Sequence, residues 1–458
     1  MKKELLFTLL GAVSLTGTAQ THQQDKPNLV LFISDDCSYY DLGCYGSKDS
    51  KTPAIDNFAK EGMRFSKAYQ AAPMSSPTRH NLYTGIWPVR SGAYPNHTHA
   101  NDSTNSIVQQ LHPLGYKVAL VGKSHIGPAS VFPFDKYFPP LKGQELDWAS
   151  LERFISECIA AKDPFCVIVA SHQPHTPWNK GDAREFNPDS LSLPPMYVDC
   201  PDTRRDFTKY LAEINYMDGE FSTLLNILDK KKASASSVVV YLSEQGNSLP
   251  FAKWTCYDAG VHSACLIRWP GVIPAESSSD ALIEYVDVLP TFVDIAGGKP
   301  ITPMDGRSFK GVLTGKSGKH KDYSFSLQTT RGIFDGSDYF GIRSVFDGRY
   351  RYILNLTPEM EFKNTFTKSK LFQEWQSRGA TDPHAAEVTH DYSFRPKEEL
   401  YDVASDPYCR LNLIQNPELS GKVAELSAEL KKWMDYCGDK GQQTELEALD
   451  HISKGKEE

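Results

Sequence analysis

The chain has 458 residues, 40% of them hydrophobic and 23% charged, the composition of a folded protein with one large or two unequal domains. Its 31 Gly and 29 Pro are scattered and no segment repeats, which excludes collagen-like, coiled-coil and low-complexity classes. A formal net charge of -8 leaves no basic face able to neutralise a phosphate backbone, so nucleic acid is not expected as a partner.

At the start of the chain, Lys2 and Lys3 precede an apolar run over residues 5–15 and then the small residues Gly17, Thr18 and Ala19. That is the layout of a cleavable export signal over residues 1–19, so the mature chain is expected to begin near Gln20 and to be secreted or periplasmic. No later run reaches the roughly 18 uncharged apolar residues of a membrane span. Nine cysteines cannot all pair within one chain, and Cys166 and Cys265 stand in apolar, strand-like runs where a thiol packs as a small hydrophobe. Neither a C-x-x-C pair nor a Cys/His cluster at zinc spacing is present. Sequons at Asn96, Asn101 and Asn355 matter only in a host that glycosylates.

Residues 28–34 (NLVLFIS) read as a first buried strand, followed by a helix over 52–61. Further strands are expected at 117–122, 165–171 and 237–243, with helices at 146–161 and 207–228. These strands are apolar at nearly every position, so both faces of the sheet should be covered by helices, which makes this an α/β chain. In such sheets ligands collect beyond the carboxyl ends of the strands. The polar residues there are therefore the candidates for chemistry.

The first strand ends in Asp35-Asp36, two adjacent acids that repel unless something positive lies between them, as a hard divalent cation held by oxygens would. Next comes Ser75-Ser76-Pro77-Thr78-Arg79, where Pro77 is expected to open a helix with Ser75 in front of its N-terminal amides. An anion is welcome there, and Arg79 can add a fork of donors to it. Gly122-Lys123-Ser124-His125, His172-Gln173-Pro174-His175 and Ser243-Glu244-Gln245-Gly246 close three more strands, and Lys253 follows Glu244 by nine residues. His80, His175 and Trp178 are candidates for the rim of a pocket only.

Beyond residue 320 the pattern changes to Gly- and Tyr-rich hairpin material with Asp347-Gly348 as a turn, and ends in an amphipathic helix over 419–437. Residues 361–391 are polar and are expected to be irregular, an insertion over the rim of a site.

In this order the motifs resemble those of the formylglycine-dependent sulfatases of the alkaline phosphatase-like fold. TPAIDNFAKEGMRFSKAYQAAP, YVDVLPTFVDIAGG, DGRSFKGVLTG and ELYDVASDPYCRLNL extend the likeness over residues 27–433. Within that family, GKSHIGPASVFPFDKY and ASHQPHTPW are most similar to the heparan N-sulfatase (sulfamidase) branch. The resemblance implies a mixed sheet flanked by helices over residues 20–320 and a smaller α+β domain built on an antiparallel sheet over 321–458.

It also implies that Ser75 is oxidised to formylglycine by an anaerobic-type maturase. One hydroxyl of the hydrated aldehyde then attacks sulfur, and the other expels sulfate by re-forming the carbonyl. Asp35, Asp36, Glu244 and Gln245, with the oxygen of residue 75, would hold Ca2+ or Mg2+. The family usually has Asp-Asn where this chain has Glu244-Gln245, each one methylene longer, so backbone or cation must shift. By the same resemblance Arg79 and Lys123 neutralise the sulfate, and His125 bonds the diol and accepts its proton. His172 and Lys253 both face the leaving atom as candidate general acids.

The expected function is hydrolysis of a sulfate ester or sulfamate on a sulfated glycan, of the glycosaminoglycan amino-sugar type. Two other readings stand beside it: a phosphodiesterase or phosphonate hydrolase of the same superfamily using an unoxidised serine, and an inactive protein that binds sulfated glycans.

Overall fold

Along the first strand, Val30 and Phe32 point into one apolar core while Leu29, Leu31 and Ile33 point into another, and all five are buried. The same alternation recurs at Val167 and Val169 against Cys166 and Ile168, so the sheet buries both faces, as its unbroken apolar runs require. The computed structural model describes residues 26–452, and the export signal expected over residues 1–19 lies outside them.

The large sheet contains β1 (Asn28–Asp35), β2 (Met63–Tyr69), β3 (Lys117–Gly122), β4 (Lys136–Phe138), β5 (Phe165–Ala170), β6 (Ser237–Glu244), β7 (His262–Arg268), β8 (Ser277–Ser279) and β9 (Ile283–Glu284). Their order across the sheet is β4-β3-β5-β1-β6-β7-β2-β8, with β9 also paired to β2. Only β7 pairs antiparallel, with both β6 and β2, which makes the sheet mixed. A second, four-stranded antiparallel sheet follows, β10 (Ser324–Thr329), β11 (Gly341–Phe346), β12 (Tyr350–Asn355) and β13 (Glu398–Asp402).

Helices α1 (Pro53–Lys60), α2 (Ser75–Thr84), α3 (Trp148–Ala161) and α4 (Pro201–Lys230) flank the large sheet. Helix α4 starts at Pro201, well before the expected residue 207, because proline at its first position costs no hydrogen bond. Helix α2 likewise starts at Ser75 and not at Pro77; a proline in the first turn gives up an N–H that has no partner there anyway.

Residues 361–391 are not irregular. They form α5 (Lys370–Arg378), capped by Ser369, and α6 (Pro383–Ser393), capped by Asp382. Leu371, Phe372 and Trp375 on the first, and Ala385, Val388 and Tyr392 on the second, have the helical spacing that buries one face. Helix α7 (Ser420–Cys437) lays Leu426, Leu430 and Trp433 over Leu327, Val345 and Tyr352 of the small sheet. That sheet is tied to the segment leading into α2 by Leu327 N–H donating to Ala71 O (2.9 Å) and Ser326 Oγ donating to Gln70 O (2.9 Å).

All nine cysteines carry free thiols, and all but Cys44 are buried. Among the described residues no helix is long and apolar enough to cross a membrane.

Candidate active site

The strands β3, β5, β1 and β6 lie side by side and parallel, in registers that pair Gly122 with Ala170, Ile33 with Ala170 and Asp35 with Glu244. Every motif singled out at a strand end therefore leaves the sheet at the same edge. Two glycines are fixed by close approach: a Cβ on Gly122 (φ +91°) or on Gly246 would fall 2.2 Å from the carbonyl oxygen of Ala170 or Ala259.

Ser75 occupies the first turn of α2 and is buried. Its Oγ donates to Asp35 Oδ1 (3.1 Å) and accepts from Gln245 Nε2 (3.0 Å) and Lys123 Nζ (3.4 Å). Lys123 Nζ also bonds Asp35 Oδ2. The same Gln245 amide donates to Asp36 Oδ1 (2.6 Å), and Lys253 Nζ donates to Asp36 Oδ2 (2.7 Å). Burial alone would raise the Asp35 carboxyl, but Lys123, His175, Arg79 and Lys253 around it hold it well below the usual carboxylate range.

Arg79 is wholly buried behind this cluster, donating to Lys123 O (2.8 Å) and lying 2.5 Å from Glu244 Oε2. It is not among the residues that line the cavity, and the carboxylates beside it are Glu244 and, at 3.9 Å, Asp35. Burial pushes the Glu244 carboxyl up to about 7 against the pull of Arg79. The Arg79 contact is a charge pair without hydrogen-bond alignment, so Glu244 Oε1 and Gln245 Oε1 remain buried acceptors with no donor.

Buried oxygens lacking donors, beside two aspartates, make a donor set suited to a hard cation such as Ca2+ or Mg2+. Among the described residues no group of three or more His, Cys, Asp or Glu forms a metal cage by itself. Here one of the donors is an amide, and Lys123 and Lys253 sit on the two aspartates.

His125 Nε2 lies 3.0 Å from His97 Nδ1, and burial, then Lys123, pushes His125 well below its ordinary value. Asp36, His97, His125, Gln245 and Trp254 all have φ between +43° and +72°, a conformation that costs side-chain-bearing residues about 1–3 kcal/mol each and is held only where the surroundings fix it.

A cavity of about 380 Å³ opens over residue 75. Ser75, Lys123, His125 and Lys253 line it, and Asp35, Asp36, Glu244 and Gln245 lie buried around residue 75. His172, expected at the leaving atom, is not among its lining residues, whereas His175, expected only at the rim, is. His175 Nε2 lies 3.6 Å from Asp36 Oδ2, and its Nδ1 bonds Thr176 O (2.6 Å).

Two rim candidates are structural. His80 is fully buried between Ser76 O (2.7 Å) and Gly127 N–H (3.1 Å), and the Trp178 indole donates to Pro174 O (2.9 Å). The sequence reading noted Asn96 only as a sequon and missed His97, Trp254, Phe334 and Phe366; all five come from loops far apart in the chain. Residues 365–369 do reach the cavity, as expected of a segment at a site rim, although as structured backbone. Of the sequon asparagines, Asn96 and Asn355 are buried and Asn101 is exposed. A larger open groove of about 900 Å³ beside α4 lies elsewhere, and its Arg204 and Arg205 are paired with Asp199 and Asp202.

The profile of the sulfatase family matches residues 27–298, and that of the C-terminal region of N-sulphoglucosamine sulphohydrolase matches 246–353. An ulvan-active sulfatase of Formosa agariphila is 32% identical over 421 residues, covering 91% of this chain and 81% of that protein. Human N-sulphoglucosamine sulphohydrolase is 24% identical, covering 89% of each. Among solved structures, a complex with the substrate D-glucosamine-2-N,6-O-disulfate superposes with a TM-score of 0.67 at 19% identity, covering 91% of this chain and 99% of that one.

Proposed function

The chain belongs to the sulfatase family and is a sulfuric ester hydrolase, and from that premise we propose that it removes sulfate from a sulfated glycan, as ester or sulfamate, at residue 75. The observation that carries this reading is the convergence on Ser75 Oγ of Asp35, Gln245 and Lys123 from three separate strand ends, at the N-terminus of a ten-residue helix and beneath a cavity. The relatives that act on glycans support the substrate class: an ulvan-active sulfatase and N-sulphoglucosamine sulphohydrolase.

The reading requires that Ser75 be oxidised to formylglycine, whose hydrated aldehyde supplies both a nucleophilic hydroxyl and a route for sulfate release. Asp35, Asp36, Glu244 and Gln245 are the residues that would hold Ca2+ or Mg2+, which supplies Lewis-acid stabilisation of the transferred group.

The chain's own side chains do the rest. Asp35 accepts the hydrogen bond of the oxygen on residue 75 and orients it, while the Gln245 amide, donating to the same oxygen, fixes its second lone pair. Lys123, 3.4 Å away, neutralises negative charge that builds on the oxygens there. Arg79 acts from behind by holding Glu244 and the Lys123 carbonyl in place. His125, neutral because it is buried beside Lys123, can take a proton within the cavity. Lys253 and His175 stand together over Asp36 and are the groups available to protonate the leaving oxygen or nitrogen.

The test is to express the full chain with a formylglycine-forming maturase, weigh the peptide that contains residue 75, and measure sulfate release from sulfated saccharides. The expected result is the mass of the aldehyde or its hydrate together with turnover that Ser75→Ala abolishes. Turnover by a chain whose residue 75 weighs as serine would overturn it.

A further inference from the structure

We propose that the cavity selects a sugar ring bearing the one sulfate to be removed and no other anionic group, with Phe334 and Trp254 as the walls on which the ring packs. This rests on residue 75 being the point of sulfate transfer and concerns what surrounds it.

The two lysines of the cavity both lie at its floor. Lys123 is on Asp35 and 3.4 Å from Ser75 Oγ, and Lys253 is 2.7 Å from Asp36 Oδ2. Whether they face those carboxylates or the sulfate in transfer, their charge is committed there.

Above the floor the lining changes character. Among the described residues, no arginine and no third lysine lines the cavity. Arg331, three residues before Phe334, lies over the Tyr339 ring (5.9 Å), and Lys363 is paired with Glu361 (2.8 Å). Burial pushes His97 and His125 below their ordinary values, so these two imidazoles of the wall are neutral at pH 7, and His175 is held at the floor, 3.6 Å from Asp36 Oδ2.

What remains is uncharged. Hydroxyls come from Thr176, Ser248, Thr365 and Ser369. Asn96, only 6% exposed, adds a neutral amide to the lining. A second sulfate or a carboxylate brought into these walls would lose its water without gaining a cation, which is costly.

The aromatic side chains supply the opposite preference. Phe334 is 76% exposed and yet faces the cavity mouth, with its ring 6.3 Å from His97. So large an exposed apolar side chain at the edge of a polar pocket is suited to cover the C–H face of a ring. At about 380 Å³ the cavity is at the small end of ligand sites, which fits recognition concentrated on the sulfated residue itself.

The test uses full-length Ser75→Ala protein, so that binding is read without turnover. Calorimetry is run on hexoses and N-acetylhexosamines sulfated at each single position, each paired with the same ring carrying a second sulfate, an N-sulfate or a uronic carboxylate. At least one singly sulfated ring is expected to bind, and its more highly charged counterpart to bind at least tenfold more weakly. Phe334→Ala should weaken the best ligand about fivefold or more, while Leu411→Ala, an exposed apolar residue outside the cavity lining, should leave it unchanged. Equal or tighter binding of the doubly charged ring, no binding of any singly sulfated ring, or an indifferent Phe334→Ala would overturn the proposal. Sulfate release by the matured wild type is scored separately, so failure of the chemistry at residue 75 is distinguishable from failure of this selectivity.

Discussion

Arg79 and Glu244 face each other at 2.5 Å with both side chains fully shielded from water. Removing one member of such a pair strands the other charge in the interior, which costs about 3–5 kcal/mol. Arg79→Met is therefore expected to lower the unfolding free energy by about that amount in urea denaturation, besides abolishing activity. A loss below about 1 kcal/mol would mean that the pair is not held as described.

The four oxygen donors Asp35, Asp36, Glu244 and Gln245 lead to a second expectation. Full-length protein dialysed against a chelator should lose sulfate release and recover it on addition of Ca2+ or Mg2+. The unmatured chain should also melt at higher temperature with the cation, since a ligand at one hundred times its Kd stabilises the folded state by about 2.7 kcal/mol. An unchanged melting temperature across a cation titration would rule the site out.

His175 reaches the cavity and His172 does not, so their alanine variants should differ. His175→Ala is expected to lower kcat/KM by about 10²–10⁴, the usual worth of a proton-transfer group, and His172→Ala by less than about tenfold. Steady-state kinetics on one saccharide decides between them, and the reverse ranking would return the role to His172.

His80 pins α2 in its neutral form, donating through Nδ1 to Ser76 O and accepting at Nε2 from Gly127 N–H, and burial pushes it down to about 4. Between about pH 6.5 and pH 4 the unfolded chain holds the extra proton, so this contribution is complete above 6.5 and is lost as the pH falls toward 4. From pH 7.5 to pH 5 the wild type should lose about 2 kcal/mol more than His80→Gln. Parallel stability curves for the two proteins would contradict this.

Much of the site was legible because its chemistry sits at strand ends. Asp35, Lys123 and Glu244 follow runs so apolar that their strands could be drawn without coordinates, and a parallel sheet brings its carboxyl ends to one edge. The pairing of Arg79 with Glu244 was not legible, because it depends on the depth at which α2 packs. Nor was it legible that His175 lines the cavity while His172 does not, which turns on the local path of the chain after β5. The helical stretch after residue 361 was misjudged by its polarity, although Leu371, Phe372 and Trp375 already carried the spacing of a buried face. The walls of the cavity were invisible for a different reason: His97, Trp254, Phe334 and Phe366 meet only once the large and small sheets have formed.

The nine unpaired thiols have a practical consequence. With no covalent cross-link between distant segments, there is nothing for dithiothreitol to cleave. Production in a glutathione-rich cytosol therefore withholds no cross-link from the fold.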